Sequence, residues 1–226
     1  MAEDSNIIMA LIMFVLSFFG SCDGPDDLAL PAPSPNRLEV IAAAPDVSIS
    51  DNDVIVTLDV LEKRLENLDA DIRWLGDNLF RLELPESSFT PALLRQGSLS
   101  FHLVKPEAET KSDLALDDLE APAFDGIIRQ ATAYMDDYES PAVAFEISDE
   151  FTKAFADFTE AQIGKRLAIV LDNEILLAPV IHAKITGEGV IAGRTSLEEA
   201  RDLALVLRSG ALPFHLSAES VKEVSR

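Results

Sequence analysis

The chain has 226 residues, 48% of them hydrophobic, and sets 40 acidic against 18 basic side chains for a formal charge of -22. That length can bury the core of one large or two small domains. The charge argues against nucleic acid as a partner, because no surplus of Lys and Arg exists to displace counterions from phosphate. The single cysteine, Cys22, excludes an internal disulfide and a cysteine-rich zinc site.

Ile7 to Phe19 is an apolar run shorter than a comfortable membrane span, followed by Gly20, Ser21 and Cys22. This segment resembles a bacterial lipoprotein signal, which implies that residues 1–22 are a signal segment and that Cys22 is lipidated and becomes the mature N-terminus. The protein would then be membrane-anchored, and Asp23 directly after the cysteine points to the inner membrane by the sorting habit of enteric bacteria. The alternative is an uncleaved apolar anchor with an incidental buried cysteine. Residues 23–37, with Pro25, Pro31, Pro33 and Pro35, read as an extended, semi-stiff tether.

From Leu38 the pattern changes. Leu38 to Ala44 predicts a strand, and Asp51 or Asn52 caps a helix that carries Val54, Leu58, Leu61, Leu65 and Leu68 at spacings of four and three. Asp71 to Leu75 and Leu79 to Leu84 predict a hairpin turning at Gly76-Asp77-Asn78, ended by Pro85. Phe89 to Gln96 predicts a short helix stopped by Gly97, and Ser98 to Val104 a strand. Lys105 to Ser140 is acidic, with Asp117, Asp118, Glu120, Asp136, Asp137 and Glu139, and reads as a long connection. Within it Ile127 to Met135 fits either a short helix or a strand.

Ala142 to Ile147 is strand-like, and Ser148-Asp149-Glu150 opens a helix with Phe151, Phe155 and Phe158 on one face, closed by Gly164. That stripe has the spacing of a core-facing side, with a sticky face for unfolded chains as the functional alternative. Arg166 to Leu171 predicts a strand, Asp172-Asn173 a tight turn and Ile175 to Ile181 the returning strand, with Pro179 at an edge or bulge. Gly187-Glu188-Gly189 reads as a hairpin turn. Thr195 and Glu198 form a capping box for a helix that stops at Ser209, with Gly210 as the left-handed residue beyond its end. Pro213 to Val221 predicts a last strand that completes the first sheet.

The stretches Gly164 to Asp172, Leu177-Ala-Pro-Val-Ile181 and Glu199-Ala-Arg-Asp-Leu-Ala-Leu-Val-Leu-Arg-Ser-Gly-Ala-Leu-Pro213 resemble the head of the first periplasmic domain of SecD, a subunit of the bacterial Sec translocase. Leu61 to Leu68, Leu79 to Pro85 and Leu99 to Val104 resemble the base of the same domain. The resemblance implies an α+β fold of two small ferredoxin-like α/β sandwich subdomains, base and inserted head. On this reading 38–104 plus 213–226 are the base, 105–140 the acidic linker and 141–212 the head. It carries over Asp172, Ala178, Pro179, Gly193, Arg208, Gly210 and Pro213 as head-motif residues of mostly structural purpose.

By the same resemblance the protein is a non-enzymatic envelope protein that assists protein export. Its implied partners are secretory polypeptides or Sec translocase subunits, its location the periplasmic side of a membrane, and its cheapest binding mode strand addition at a sheet edge. In SecD the head moves against the base, driven by proton flow through membrane helices. After residue 19 no apolar run reaches a membrane span, and the Asp-Leu-x-Gly-Gly segment that precedes the base in that family is missing, so a stand-alone accessory part is expected. A structural interaction module for envelope assembly, without unfolded clients, is the alternative. A hydrolase using scattered carboxylates is the third reading.

Chemistry is sparse. His102, His182 and His215 are far apart and form no spaced pair, so neither a metal nor a cofactor is expected. No Gly-x-Ser-x-Gly elbow, phosphate-cradling loop or dinucleotide fingerprint occurs. Asp117, Asp118 and Glu120 lack the spacing of a calcium loop.

Overall fold

Strand β1 (Arg37–Ala43) alternates between apolar and mixed positions, and helix α1 (Asp51–Leu65) lays Val54, Leu61 and Leu65 against the sheet that β1 founds. The structure is a computed structural model that describes residues 37–45 and 47–224. Strands β2 (Asp71–Gly76) and β3 (Leu79–Pro85) form the expected hairpin. Its turn residues Asp77 and Asn78 both have positive φ, 47° and 62°, which short polar side chains tolerate best. The sheet runs β11-β1-β3-β2, with β11 (Ser217–Val224) returning from the far end of the sequence to flank β1. Cross-strand pairs Val40 with Leu82 and Ala42 with Phe80 put one buried face against α1.

A second sheet has the order β5-β4-β8-β9, from β4 (Leu99–Leu103), β5 (Phe124–Asp125), β8 (Leu167–Leu171) and β9 (Glu174–Leu177). A third runs β10-β7-β6, from β6 (Ile128–Met135), β7 (Pro141–Ile147) and β10 (Glu188–Ile191). Every strand pairing is antiparallel. Among the described residues the architecture is thus α+β, with three small sheets. Helix α2 (Asp149–Ala161) buries Phe155, and its ring meets those of Phe101 and Phe124 edge-on at 5.2 and 5.3 Å. Phe151 and Phe158 are half-buried against the same core, so the phenylalanine stripe is packing. Helix α3 (Leu197–Ser209) packs on β6 and β7 through one face and reaches α1 through another.

Strand β8 is buried along its whole length, which needs cover on both faces. Leu167, Ile169 and Leu171 join the core under α2 and α3, while Ala168 and Val170 pack with Val104, Ala108 and Leu119. The acidic stretch 105–140 therefore does more than connect: its first part roofs β8, and its later part supplies β5 and the eight residues of β6. Residues 127–135, open between helix and strand in the sequence, are strand from Ile128.

Several boundaries differ from the sequence reading. Ser50, not Asp51 or Asn52, caps α1: its Oγ accepts from Asp53 N at 3.3 Å while Asp53 Oδ2 accepts from Ser50 N at 3.0 Å. The Ser50 hydroxyl, which donates to Asp53 Oδ2 at 2.7 Å, and then the Ser50 N–H hold the Asp53 carboxyl below its ordinary pKa. Phe89 to Gln96 is no α-helix; Pro91–Leu94 is a single 3-10 turn, bounded by extended backbone at Thr90 and Arg95. The returning strand after Asp172-Asn173 stops at Leu177, and the last strand begins at Ser217. At α3 the box sits one residue later than expected: Ser196 Oγ accepts from Glu199 N at 3.1 Å, and Thr195 N and Oγ1 donate to Glu199 Oε2 at 2.8 and 2.6 Å. Those donors keep the Glu199 carboxyl below its ordinary pKa.

Gly187-Glu188-Gly189 is not the hairpin turn that its composition suggests, because Glu188 and Gly189 lie inside β10. Gly189 sits opposite Phe145 of β7, and a Cβ there would lie 2.7 Å from ring atom Cε1. The glycine is a slot for the ring.

Candidate functional site

The chain passes twice between its two larger apolar clusters, at residues 95–98 and 209–212, and both passages run side by side, with Leu212 N donating to Gln96 O at 2.7 Å. Each uses a conformation that only glycine adopts readily. Gly97 has φ +81°, and a Cβ there would meet Val206 Cγ1 at 2.8 Å and Arg64 Nη2 at 3.1 Å. Gly210 has φ 87° and ψ 176°, outside the left-handed helical region expected for it and in one reserved almost wholly to glycine.

Arg64 of α1 fills the space between them and is buried, 3% exposed. Its Nε donates to Ser209 Oγ at 3.0 Å, Nη1 to Leu93 O at 2.9 Å and Nη2 to Gly210 O at 3.1 Å. Arg95 O at 2.5 Å, Gln96 O at 3.4 Å and Ala92 O at 3.5 Å complete the set. One guanidinium thus satisfies carbonyls from both passages, which otherwise would be buried without donors. Burial lowers its pKa to about 10, and the charge of Asp172 works in the opposite direction.

Asp172 ties the first passage to the β8–β9 hairpin. It and Asn173 turn the chain with φ of 51° and 66°, and its carboxylate accepts from Ser98 N at 2.7 Å and Arg95 Nε at 2.8 Å. Arg95 also pairs with Glu174 at 3.1 Å.

Beside this joint lies an open groove of about 650 Å³. Phe89, Leu94, Leu176, Leu203 and Leu216 give it an apolar lining. Four of its charged groups are mutually paired, Arg95 with Glu174 and Arg194 with Glu199 at 3.4 Å. Two terminal strands of different sheets, β9 through Glu174 and Leu176 and β11 through Ala218, contribute to its walls. Asp202 of α3 lines it as well and accepts from Thr90 Oγ1 at 3.2 Å. Burial raises the Asp202 pKa above its ordinary value, the Thr90 bond lowers it in part, and Glu198 raises it. Such a surface can hold an uncharged or apolar chain segment; it assembles no nucleophile with a base.

The motif residues singled out in the sequence divide by position. Asp172, Gly210 and the neighbouring Arg95 belong to the joint. Ala178 O accepts from Arg166 Nε at 3.0 Å and Pro179 O from Leu167 N at 2.9 Å, so both close the end of the β8–β9 hairpin. Gly193 lies in the loop after β10 and Pro213 is exposed just past the second passage. Arg208 is exposed on α3. Cys22 and the lipidation expected of it lie outside the described residues. His102 bonds Glu120 O and Ser100 Oγ at 2.8 and 2.7 Å, away from His182 and His215. Asp118 pairs with Lys111. Among the described residues no group of three or more His, Cys, Asp or Glu is arranged to hold a metal, and no helix is long and apolar enough to cross a membrane.

Neither Arg64 nor the groove itself is singled out by the sequence reading. Arg64 does leave a signal: it stands three residues after Leu61 and four after Val60, on the apolar side of α1.

Residues 109–214 match the family model described as SecDF, P1 head subdomain. The protein translocase subunit SecD of Aquifex aeolicus is 53% identical over 87 residues, covering 38% of this chain and 17% of that protein. The SecD subunit of Dictyoglomus turgidum is 33% identical over 173 residues, 74% of this chain and 41% of the relative. The chain therefore spans less than half the length of these relatives. A solved chain titled "Structure and function of a membrane component SecDF that enhances protein export" superposes with TM-score 0.67 at 28% identity, covering 81% of this chain and 99% of that one.

Proposed function

We propose, from the premise that this chain carries a periplasmic domain of the SecD family, that it assists protein export by holding a polypeptide segment in the groove beside α3. The observation that carries the reading is the meeting of an apolar lining with the terminal strands of two separate sheets, β9 and β11. An extended segment laid there finds main-chain partners at a strand edge and sockets for alternate side chains, a mode that accepts many sequences. The internal pairing of Arg95 with Glu174 and of Arg194 with Glu199 supports it, because these four groups then demand no charge in the client. Nothing in this reading requires a catalytic step. The Sec translocase is the implied neighbour, the periplasm the implied compartment and Cys22 the implied lipid anchor. The residues before the first passage and after the second act as base, and those between the passages, β4 and the strands of 105–140 included, act as head, hinged beside Arg64.

A photocrosslinking residue placed at exposed His215 or Ala218, in the full-length chain within cells, tests this. Trapping of many secretory polypeptides, and none from a control position such as Glu107, is expected. A single defined folded protein at those positions would replace the reading by an envelope-assembly module. Mass spectrometry of the mature N-terminus tests the anchor, expected as an acylated Cys22.

A further inference from the structure

The arginines of this acidic chain are almost all engaged. Among the described residues Arg37, Arg73, Arg81, Arg95, Arg129 and Arg194 form ion pairs, and Arg64 and Arg166 donate to carbonyls. Arg201 and Arg208 do neither, and both are exposed on α3. They are seven residues apart, so they stand on one side of the helix, separated by about 10 Å along its axis. Both line a second cleft of about 670 Å³, on which Ser87, Ser88, Thr90 and Asn67 also open. The charged groups there are Arg64, Arg201 and Arg208 against Glu198 and Asp202, a basic balance inside a molecule of charge -22.

We propose that this cleft binds an acidic, extended peptide segment, with one carboxylate on Arg201 and another on Arg208. The spacing selects the ligand. A chain in the polyproline II form advances about 3.1 Å per residue with three residues per turn, so carboxylates three residues apart lie on one side of it and span about 9 Å, close to the axial separation of the two arginines. The hydroxyl and amide groups of Ser87, Ser88, Thr90 and Asn67 suit the main chain between them. Guanidinium forks favour carboxylates in paired hydrogen bonds, and the surrounding negative field disfavours loose binding of the same peptide elsewhere. A position near the C-terminal end of α3 rewards Arg208 through the helix carbonyls, but that reward applies to no cleft and leaves Arg201 unexplained. The cleft shares Asp202 with the apolar groove and is otherwise lined by different residues of α3 and its neighbours.

Fluorescence anisotropy with labelled ten-residue Gly/Ser peptides carrying Asp-x-x-Asp, Asn-x-x-Asn or adjacent Asp-Asp tests the proposal. Wild-type chain should bind the Asp-x-x-Asp peptide at least about tenfold tighter than the Asn peptide, with weakening at high salt. R201Q and R208Q should each lose about tenfold and the double variant all detectable preference, with circular dichroism confirming that all three fold. Equal binding of Asp and Asn peptides, or an undiminished preference in the double variant, overturns it. So does arginine-dependent binding to anionic phospholipid vesicles without peptide binding.

Discussion

Arg64 Nε and Ser209 Oγ lie 3.0 Å apart, so a side chain from the first helix closes the end of the third. Ser209 Oγ in turn donates to Val206 O at 3.1 Å, which orients the hydroxyl as acceptor for Arg64. R64A strips the donors from several buried carbonyls at once and is expected to cost about 3 kcal/mol, whereas S209A removes one bond and should cost about 1 kcal/mol. R64K keeps a charge but cannot reach both passages and should fall near R64A. Urea denaturation of the three variants measures the order.

The pairing of Gly189 with Phe145 predicts a coupled effect. G189A drives a methyl into the ring and should destabilise by about 1 to 3 kcal/mol. Trimming the ring in G189A/F145L should recover part of that loss, so the double variant is expected to be more stable than the sum of the singles. Thermal melts of the three variants decide it, and strict additivity would show that the ring does not fill the slot.

Along α2, F155A should cost about 3 to 5 kcal/mol, since Phe155 is buried against Phe101 and Phe124. F151A, at a half-buried position, should cost clearly less. If instead the stripe were a binding surface, F155A would leave denaturation midpoints unchanged.

Asp202 gives a pH-dependent signature. Its folded-state pKa is raised, chiefly by burial, so the folded form binds the proton more tightly than the unfolded chain. Its contribution to stability is therefore fully present below the ordinary carboxylate pKa of 3.8 and lost as pH rises through the raised value. D202N keeps an acceptor for Thr90 without the charge and should be more stable than wild type at pH 7, with the advantage shrinking toward pH 3.5. Parallel denaturation at the two pH values, compared as differences from wild type, checks the sign.

Local signals are legible in the sequence where a residue type answers a local demand. The left-handed pairs Asp77-Asn78 and Asp172-Asn173, and the apolar stripes of α1 and α2, announce themselves because short polar side chains tolerate positive φ and core faces repeat at helical spacing. Gly189 misleads because its need for a missing side chain comes from Phe145, forty-four residues away by number. The helix expected at Phe89 to Gln96 shrinks to one turn because Leu93 and Leu94 are anchored in one core while Ala92 joins the other. The groove and the Arg201–Arg208 cleft arise only when segments distant in sequence meet, so no single window contains either. Arg64 shows the limit most plainly, since its partners are carbonyls, which every residue carries and no sequence displays.

The bond from Leu212 N to Gln96 O brings departure and return of the chain to a single spot. Everything between those two residues is therefore a cassette: it could be exchanged for that of a cousin that still offers Arg64 its partners at Ser209 and Gly210. A lineage that needed a new grip could tinker there while leaving its foundation untouched.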